Sequence, residues 1–347
     1  MKTHKERIKE LQSLLKKEKL DAVVINRPLE VGFLTGFYLD GCVLLVSKTN
    51  AWAFVSQMLF EHFKSKVPFI ETLASNDMKS AAIAQIKKNK FKIKKVAFQP
   101  ETENYVNGMF WKTHGLLEKA GLTASLRLTK NEAELKAIRK ACYIASKAFD
   151  IIKPRIKAGR TEISVARELE HIMQSMGATG PSFDTIVGFG ANSAMPHHET
   201  SMRVLKKNEA VLIDYGCVYD FYRSDRTRTF FYGNADAEFK KVHAIVVASH
   251  QKGMKAVKSG IKASSIDKVC RDEIMDKGYG QYFVHGTGHG VGLEIHEAPT
   301  VNSKSQDILK EGMILTVEPG IYLHGKFGVR IEDTLLVKKK GYEILTK

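Results

Sequence analysis

The sequence predicts a small α/β domain followed by a larger α+β domain, and three observations carry that expectation. Helix-like and strand-like stretches alternate from the N-terminus to residue 127, the pattern of helices layered on a sheet. From residue 128 the order becomes helix, helix, strands, and that order occurs twice. The chain has 347 residues, 44% of them apolar, which suffices for two packed cores.

The first twenty residues, MKTHKERIKELQSLLKKEKL, place Ile8, Leu11, Leu14 and Leu15 at helical spacing among lysines. This reads as a helix facing a core, not as the continuous apolar stretch of a signal peptide or a membrane anchor. DAVVI (21 to 25), CVLLVS (42 to 47) and AWAFVS (51 to 56) read as strands, and residues 77 to 89 and 103 to 120 as helices. The basic run KKNKFKIKK (87 to 95) fits a helix end running into the strand KVAFQ. It is expected to be a solvated face.

The second part opens on TKNEAELKAIRKACYIASKAFDIIK, a polar cap followed by a long amphipathic helix. An internal repeat follows. IKAGRTEISVARELEHIMQSMGATG starts at Ile156, and IKASSIDKVCRDEIMDKGYG starts at Ile261. Each is a turn, a helix and a glycine stop, preceded by a longer helix (131 to 153, and 236 to 258) and followed by strands. Two such halves predict a pseudo-symmetric domain with a cleft between them.

The formal net charge is +16, but the lysines are spread along the chain. None of the sequence signatures of nucleic-acid-binding modules is present, so nucleic acid is not the expected partner. Cys42, Cys142, Cys217 and Cys270 lie far apart with no CxxC pair. That speaks against a disulfide framework and a cysteine zinc site, and for reduced thiols in a cytoplasm.

The chemistry concentrates in VLIDYGCVYDFYRSDRTRTFFY, residues 211 to 232. Asp214 ends one apolar run and Asp225 precedes another. His289 lies in VHGTGHGVGLEIHEAP, Glu318 in ILTVEPGIY and Glu332 in GVRIEDTLLV. Short polar turns between the two aspartates and between the two glutamates would form hairpins and bring the four carboxylates to one floor. Carboxylates that close raise one another's pKa unless cations compensate. Two divalent metals would, and oxygen donors with one imidazole suit Mn, Co, Fe or catalytic Zn. Singly, each residue has a plain alternative. Asp214 could cap the turn at Gly216, Asp225 could pair with Arg226 or Arg228, Glu332 with Arg330, and His289 could simply be packed. One site accounts for all five together.

The blocks D-Y-G…Y-R-S-D-R-T-R-T, H-G-T-G-H-G-V-G-L-E-I-H-E-A-P, T-V-E-P-G-I-Y and G-V-R-I-E-D stand in this order. In them the chain resembles the proline-specific metallopeptidases, prolidase and aminopeptidase P, of the creatinase and methionine aminopeptidase superfamily. The likeness is close from residue 128 onward and is one of pattern in residues 1 to 127. It implies a creatinase-like α/β domain (1 to 127) and a pita-bread catalytic domain (128 to 347). It also implies two divalent ions, manganese first among Mn, Co and Zn, held by Asp214, Asp225, His289, Glu318 and Glu332. Glu318 would relay a proton. His197 and His296 would steady the reacting amide, and His285, Tyr322 and Arg330 would line a proline pocket. His198, beside His197, is read as the lesser candidate of the two. Arg226 departs from the family, which has an apolar residue there, and is expected to point to solvent. The implied substrate is a proline-containing peptide or Xaa-Pro dipeptide, and the implied assembly a homodimer, with no membrane partner. A non-catalytic binding protein on the same fold, or a hydrolase of another small amide, is the alternative.

Overall fold

The computed structural model describes residues 3–38, 40–89 and 92–347. The chain divides into two compact units, Met1–Arg127 and Leu128–Lys347.

The first unit is built on a six-stranded sheet in the order β4-β3-β2-β1-β5-β6. Its strands are β1 (Ala22–Ile25), β2 (Cys42–Ser47), β3 (Ala51–Val55), β4 (Glu71–Ala74), β5 (Val96–Phe98) and β6 (Leu117–Glu118). The helices are α1 (His4–Lys17), α2 (Pro28–Thr35), α3 (Phe60–Lys66), α4 (Met78–Lys88), α5 (Tyr105–Thr113) and α6 (Leu122–Arg127). Helix α1 starts at a capping box between Thr3 and Glu6 and buries Ile8, Leu11 and Leu15, as a core-facing first helix should. The helix expected over 103 to 120 is shorter. It ends at Thr113, Gly115 turns the chain at φ +80°, and β6 follows; Gly supplies that left-handed turn without strain. In the basic run, Lys87 and Lys88 close the last turn of α4, where they complement the helix dipole. Lys90 and Phe91 of that run lie outside the described residues.

The second unit repeats one plan. In its first half α7 (Glu132–Ile152) and α8 (Glu162–Ser175) precede β7 (Gly180–Pro181), β8 (Ile186–Phe189), β9 (Glu209–Tyr215), β10 (Cys217–Tyr219), β11 (Tyr222–Arg223) and β12 (Arg226–Tyr232). In the second half α9 (Ala237–Ala256) and α10 (Ala263–Met275) precede β13 (Gly288–Gly290), β14 (Glu297–Val301), β15 (Ile314–Val317), β16 (Gly320–Leu323), β17 (Phe327–Arg330), β18 (Asp333–Val337) and β19 (Tyr342–Ile344). The central sheets run β12-β9-β8 and β14-β13-β15-β18-β19.

The repeat is real, but its register differs from the expected pairing of Ile156 with Ile261. In the first half Gly159 N–H donates to Leu205 O, Leu205 N–H to Arg160 O, and Glu162 N–H to Arg203 O. In the second, Gly260 N–H donates to Leu309 O, Leu309 N–H to Ile261 O, and Ala263 N–H to Asp307 O. Arg160 therefore matches Ile261. The shared letters I-K-A fall out of this register. The anchors are the two glycines before the helices, Gly159 and Gly260, at φ +93° and +89°.

Among the described residues no helix is long and apolar enough to cross a membrane. The four cysteines are free and buried.

Candidate metal centre

Two antiparallel strand pairs bring the acids together. Asp214 sits near the end of β9 opposite Thr227 of β12, and Asp225 is the residue before β12. Glu318 follows β15, and Glu332 precedes β18, with Val317 paired to Asp333. The connections are not the short polar turns expected. Each contains its own hairpin, β10–β11 between the aspartates and β16–β17 between the glutamates. The first turns through Asp220 and Phe221 at φ +49° and +69°. That two-residue left-handed turn normally advertises itself with Asn or Gly, which this sequence lacks.

Thr227 stitches the floor across the two halves. Its hydroxyl donates to Glu332 Oε2 at 2.7 Å, and Glu332 N–H donates to Thr227 O at 3.1 Å. Gly288 lets β13 lie against β15: a Cβ there would meet the carbonyl oxygen of Thr316 at 2.1 Å. His289 is thereby carried to the carboxylates, with Nε2 at 3.3 Å from Glu318 and 3.5 Å from Asp225. Its Nδ1 lies 3.0 Å from the carbonyl oxygen of Gly290. A carbonyl only accepts, so Nδ1 carries a proton, and Nε2 is the nitrogen turned to the cluster.

Donor atoms of Asp225, His289 and Glu332 all lie within 4.8 Å of one another. Asp225 and Glu332 are 4% and 1% exposed. Oδ1 of Asp214 and Oε1 of Glu332 are buried and have no hydrogen-bond partner among the described residues. Buried carboxylate oxygens left without donors are costly. Oxygen donors with one imidazole nitrogen and no sulfur are the chemistry that hard or borderline divalent cations take, so these residues fit such ions.

The electrostatics of the bare protein agree. Burial, reinforced by Asp214, pushes the Asp225 carboxyl well above the usual range. Burial and then Asp225 do the same to Glu332. Burial also opposes ionisation of Glu318, but its contact with His289 prevails and takes the carboxyl down to about 2. Burial opposes the charge on His289, yet Glu318 and Asp225 lift it to about 9. Protons and an imidazolium are held where divalent cations would supply the charge.

Around the cluster lies a cavity of about 930 Å³, whose lining includes His197, His285, His296, Glu318 and Arg330. His296 stands edge-on to His289, ring centroids 4.3 Å apart. His285 Nδ1 lies 2.7 Å from Gly286 O and so carries the proton; Nε2 then accepts from the Tyr322 hydroxyl at 2.8 Å. Burial lowers the pKa of His285, in keeping with a neutral ring. Tyr322 also accepts from Arg330 Nη1 at 2.8 Å. Only 5% exposed, Tyr322 stands behind His285 and Arg330, bonded to both, and does not line the cavity.

The expectation for Arg226 fails. Arg226 does not reach solvent. It leaves β12 on the face away from the carboxylates and is 7% exposed, with Nη1 donating to the Tyr215 hydroxyl at 2.9 Å and the guanidinium over the Phe149 ring. Opposite strand faces here mean cluster and core, not cluster and water. His198, the lesser candidate, is 9% exposed and bound to Glu162 at 2.8 Å, whereas His197 is exposed. Thr227, in β12, and Glu162, the first residue of α8, are not singled out by the sequence.

Residues 136–339 match metallopeptidase family M24, and residues 7–139 match the creatinase/prolidase N-terminal domain. The chain is 35% identical to an Xaa-Pro dipeptidase of Pyrococcus furiosus over 99% of this chain and 98% of that protein. Its structure resembles an Xaa-Pro dipeptidase from Bacillus anthracis, with TM-score 0.96 and 35% identity over 99% and 98% of the two chains. It also resembles an X-Pro aminopeptidase from Thermotoga maritima, with TM-score 0.88 and 32% identity over 97% of each. The repeated α+β unit is the pita-bread architecture expected from the sequence. On its motifs, its fold and these full-length likenesses, the chain belongs to metallopeptidase family M24.

Proposed function

We propose that this chain is a dinuclear metallo-exopeptidase that hydrolyses the bond between an N-terminal residue and proline, in Xaa-Pro dipeptides or at the start of longer peptides. The observation that carries the reading is the cluster of Asp225, His289 and Glu332, donor atoms within 4.8 Å, on the floor of a peptide-sized cavity. The names printed for its full-length relatives support the substrate class.

In this reading Asp214, Asp225, His289, Glu318 and Glu332 hold two divalent ions, manganese first among Mn, Co and Zn. Bound there, the ions would lower the pKa of the attacking water and polarise the scissile carbonyl. The chain's own residues do the rest. Glu318 accepts the proton of the attacking water and passes it to the leaving nitrogen of proline. His197 and His296 hydrogen-bond the oxyanion and the scissile amide. His285 and Arg330 form the wall for the proline ring, with Tyr322 holding both in place through its hydroxyl. Arg330 also fixes Asp214.

We assign residues 1–127 to a creatinase-like domain and 128–347 to the catalytic domain. We read the assembly as a cytoplasmic homodimer. Four free buried thiols suit a reducing compartment. Exposed Tyr105, Val106 and Met109 give α5 an apolar face that suits a second copy.

The test is hydrolysis of Ala-Pro and of a longer Xaa-Pro-Xaa peptide after reconstitution with Mn(II), Co(II) or Zn(II) in turn. Cleavage of the dipeptide alone defines a dipeptidase, and cleavage of the longer peptide an aminopeptidase. Cleavage of neither by metal-loaded protein overturns the reading.

A further inference from the structure

The second unit contains a buried carboxylate that takes no part in the metal cluster. Glu162, the first residue of α8, is fully buried. Its Oε1 accepts from Phe189 N–H at 2.8 Å and from Asn192 Nδ2 at 2.9 Å. Its Oε2 accepts from Ser201 N–H at 3.0 Å and Ser201 Oγ at 2.5 Å, and pairs with His198 Nε2 at 2.8 Å. A carbonyl or a packed methyl group could also seat a helix on a loop. Five donors converging on one carboxylate do more: they set the loop's position, because any slippage leaves a buried charge short of partners.

The partners are not scattered. They stand at both ends and along the middle of the segment 189–201, and Pro196 and His197 of that segment line the cavity. From β17, Arg330 Nη1 donates to Pro196 O at 3.3 Å, and Gly328 N–H donates to Ser193 Oγ at 2.9 Å. The two adjacent histidines divide the work. His198 is turned inward to Glu162, while His197 is exposed at the cavity wall.

The other half has a parallel device one helical turn further along its helix. Buried Asp267 of α10 accepts from Thr287 N–H and Thr287 Oγ1 at 3.2 and 2.9 Å and pairs with Arg271 at 3.0 Å. Arg271 in turn donates to the carbonyls of Phe283 and His285. In both halves the second helix thus ties down, through an acid, the loop that bears an active-site histidine.

We propose that Glu162 and His198 are positioning residues for His197: the Glu162 carboxylate fixes the 189–201 segment so that the His197 imidazole stands in the cavity at the reacting amide. This rests on the reading of His197 as a group that touches the substrate.

The experiment is a double-mutant cycle read by Ala-Pro hydrolysis with Mn(II), alongside bound metal per chain. Glu162→Gln should lower kcat about 10- to 100-fold with KM within about threefold, the scale of a small misplacement of a reacting group. Bound metal should be unchanged. His197→Ala should lose at least as much. The double variant should be no worse than His197→Ala alone, since Glu162 acts only through His197. His198→Phe removes one donor of the set, and its smaller loss should also vanish in the His197→Ala background. A Glu162→Gln cost that persists in full without His197, a fall in bound metal, or wild-type kcat in Glu162→Gln overturns the proposal. A wild-type chain that cleaves only the longer Xaa-Pro-Xaa peptide is assayed on that peptide, and one that cleaves neither overturns the functional reading instead. The positioning role is then decided by the 15N imidazole spectrum of His197, assigned from its loss in His197→Ala. A shifted or broadened signal in Glu162→Gln supports it, and an unchanged one overturns it.

Discussion

Arg330 donates through Nη2 to Oδ2 of Asp214 at 2.6 Å, while Oδ1 of the same half-buried carboxylate has no hydrogen-bond partner among the described residues. One oxygen is orientated by a guanidinium, and the other is the one that the proposed function gives to a cation. The same arginine reaches Tyr322 through Nη1 and Thr227 through Nε. Three directions from one planar group cannot be copied by an ammonium. Arg330→Lys is expected to lower metal affinity about 10- to 100-fold, the range seen when the support of a metal ligand is removed. Isothermal titration with Mn(II) checks this, and wild-type affinity contradicts it.

Asp225 is buried between Asp214, Glu318 and His289. Asp225→Asn should abolish turnover and metal loading and leave the first unit folded, as read by metal content and by amide exchange in residues 3–38. Normal turnover in this variant would remove Asp225 from the ligand set.

Arg226 is the reverse case. It is buried, its Nε has no hydrogen-bond partner among the described residues, and its Nη1 donates to Tyr215. Replacing a buried, partly satisfied charge by an apolar chain of similar length is often neutral or stabilising. Arg226→Met should shift stability by no more than about 1 kcal/mol in either direction and keep kcat within about threefold. A large fall in kcat would show that its charge reaches the cluster.

His250 gives the acid limb of stability. It is 4% exposed, and its Nε2 has no hydrogen-bond partner among the described residues although Asp333 lies 3.4 Å away. Burial holds the imidazole down at about 4; Asp333 pulls upward and Arg228 pushes down. The unfolded chain binds this proton from about pH 6.5 downward and the folded chain does not. The stability due to the neutral ring is therefore complete above pH 6.5 and falls toward pH 4, by about 3 kcal/mol in all. Urea unfolding of wild type and His250→Leu from pH 7 to pH 4 tests this: the slope should be shallower in the variant, and equal slopes would contradict it.

Much of this architecture was legible because the patterns were local. Capped amphipathic helices and apolar strand runs marked α1, α7, β2 and β3. The cluster was legible for a different reason: acids at the ends of apolar runs are costly unless something compensates them. What escaped depends on contacts distant in the chain. The inward turn of His198 depends on Glu162, 36 residues away. The burial of Arg226 depends on Tyr215 and Phe149 across the core. The register of the repeat was hidden because hydrogen bonds from Gly159 and Gly260, not matching letters, define it.

In the proposed function Asp214, Asp225, His289, Glu318 and Glu332 together hold two divalent ions. The most direct measurement is anomalous scattering from crystals grown with Mn(II). Two manganese peaks in contact with these five side chains are expected, as is their loss from crystals of Asp225→Asn. No peak at the cluster, or peaks that persist unchanged in Asp225→Asn, would contradict it.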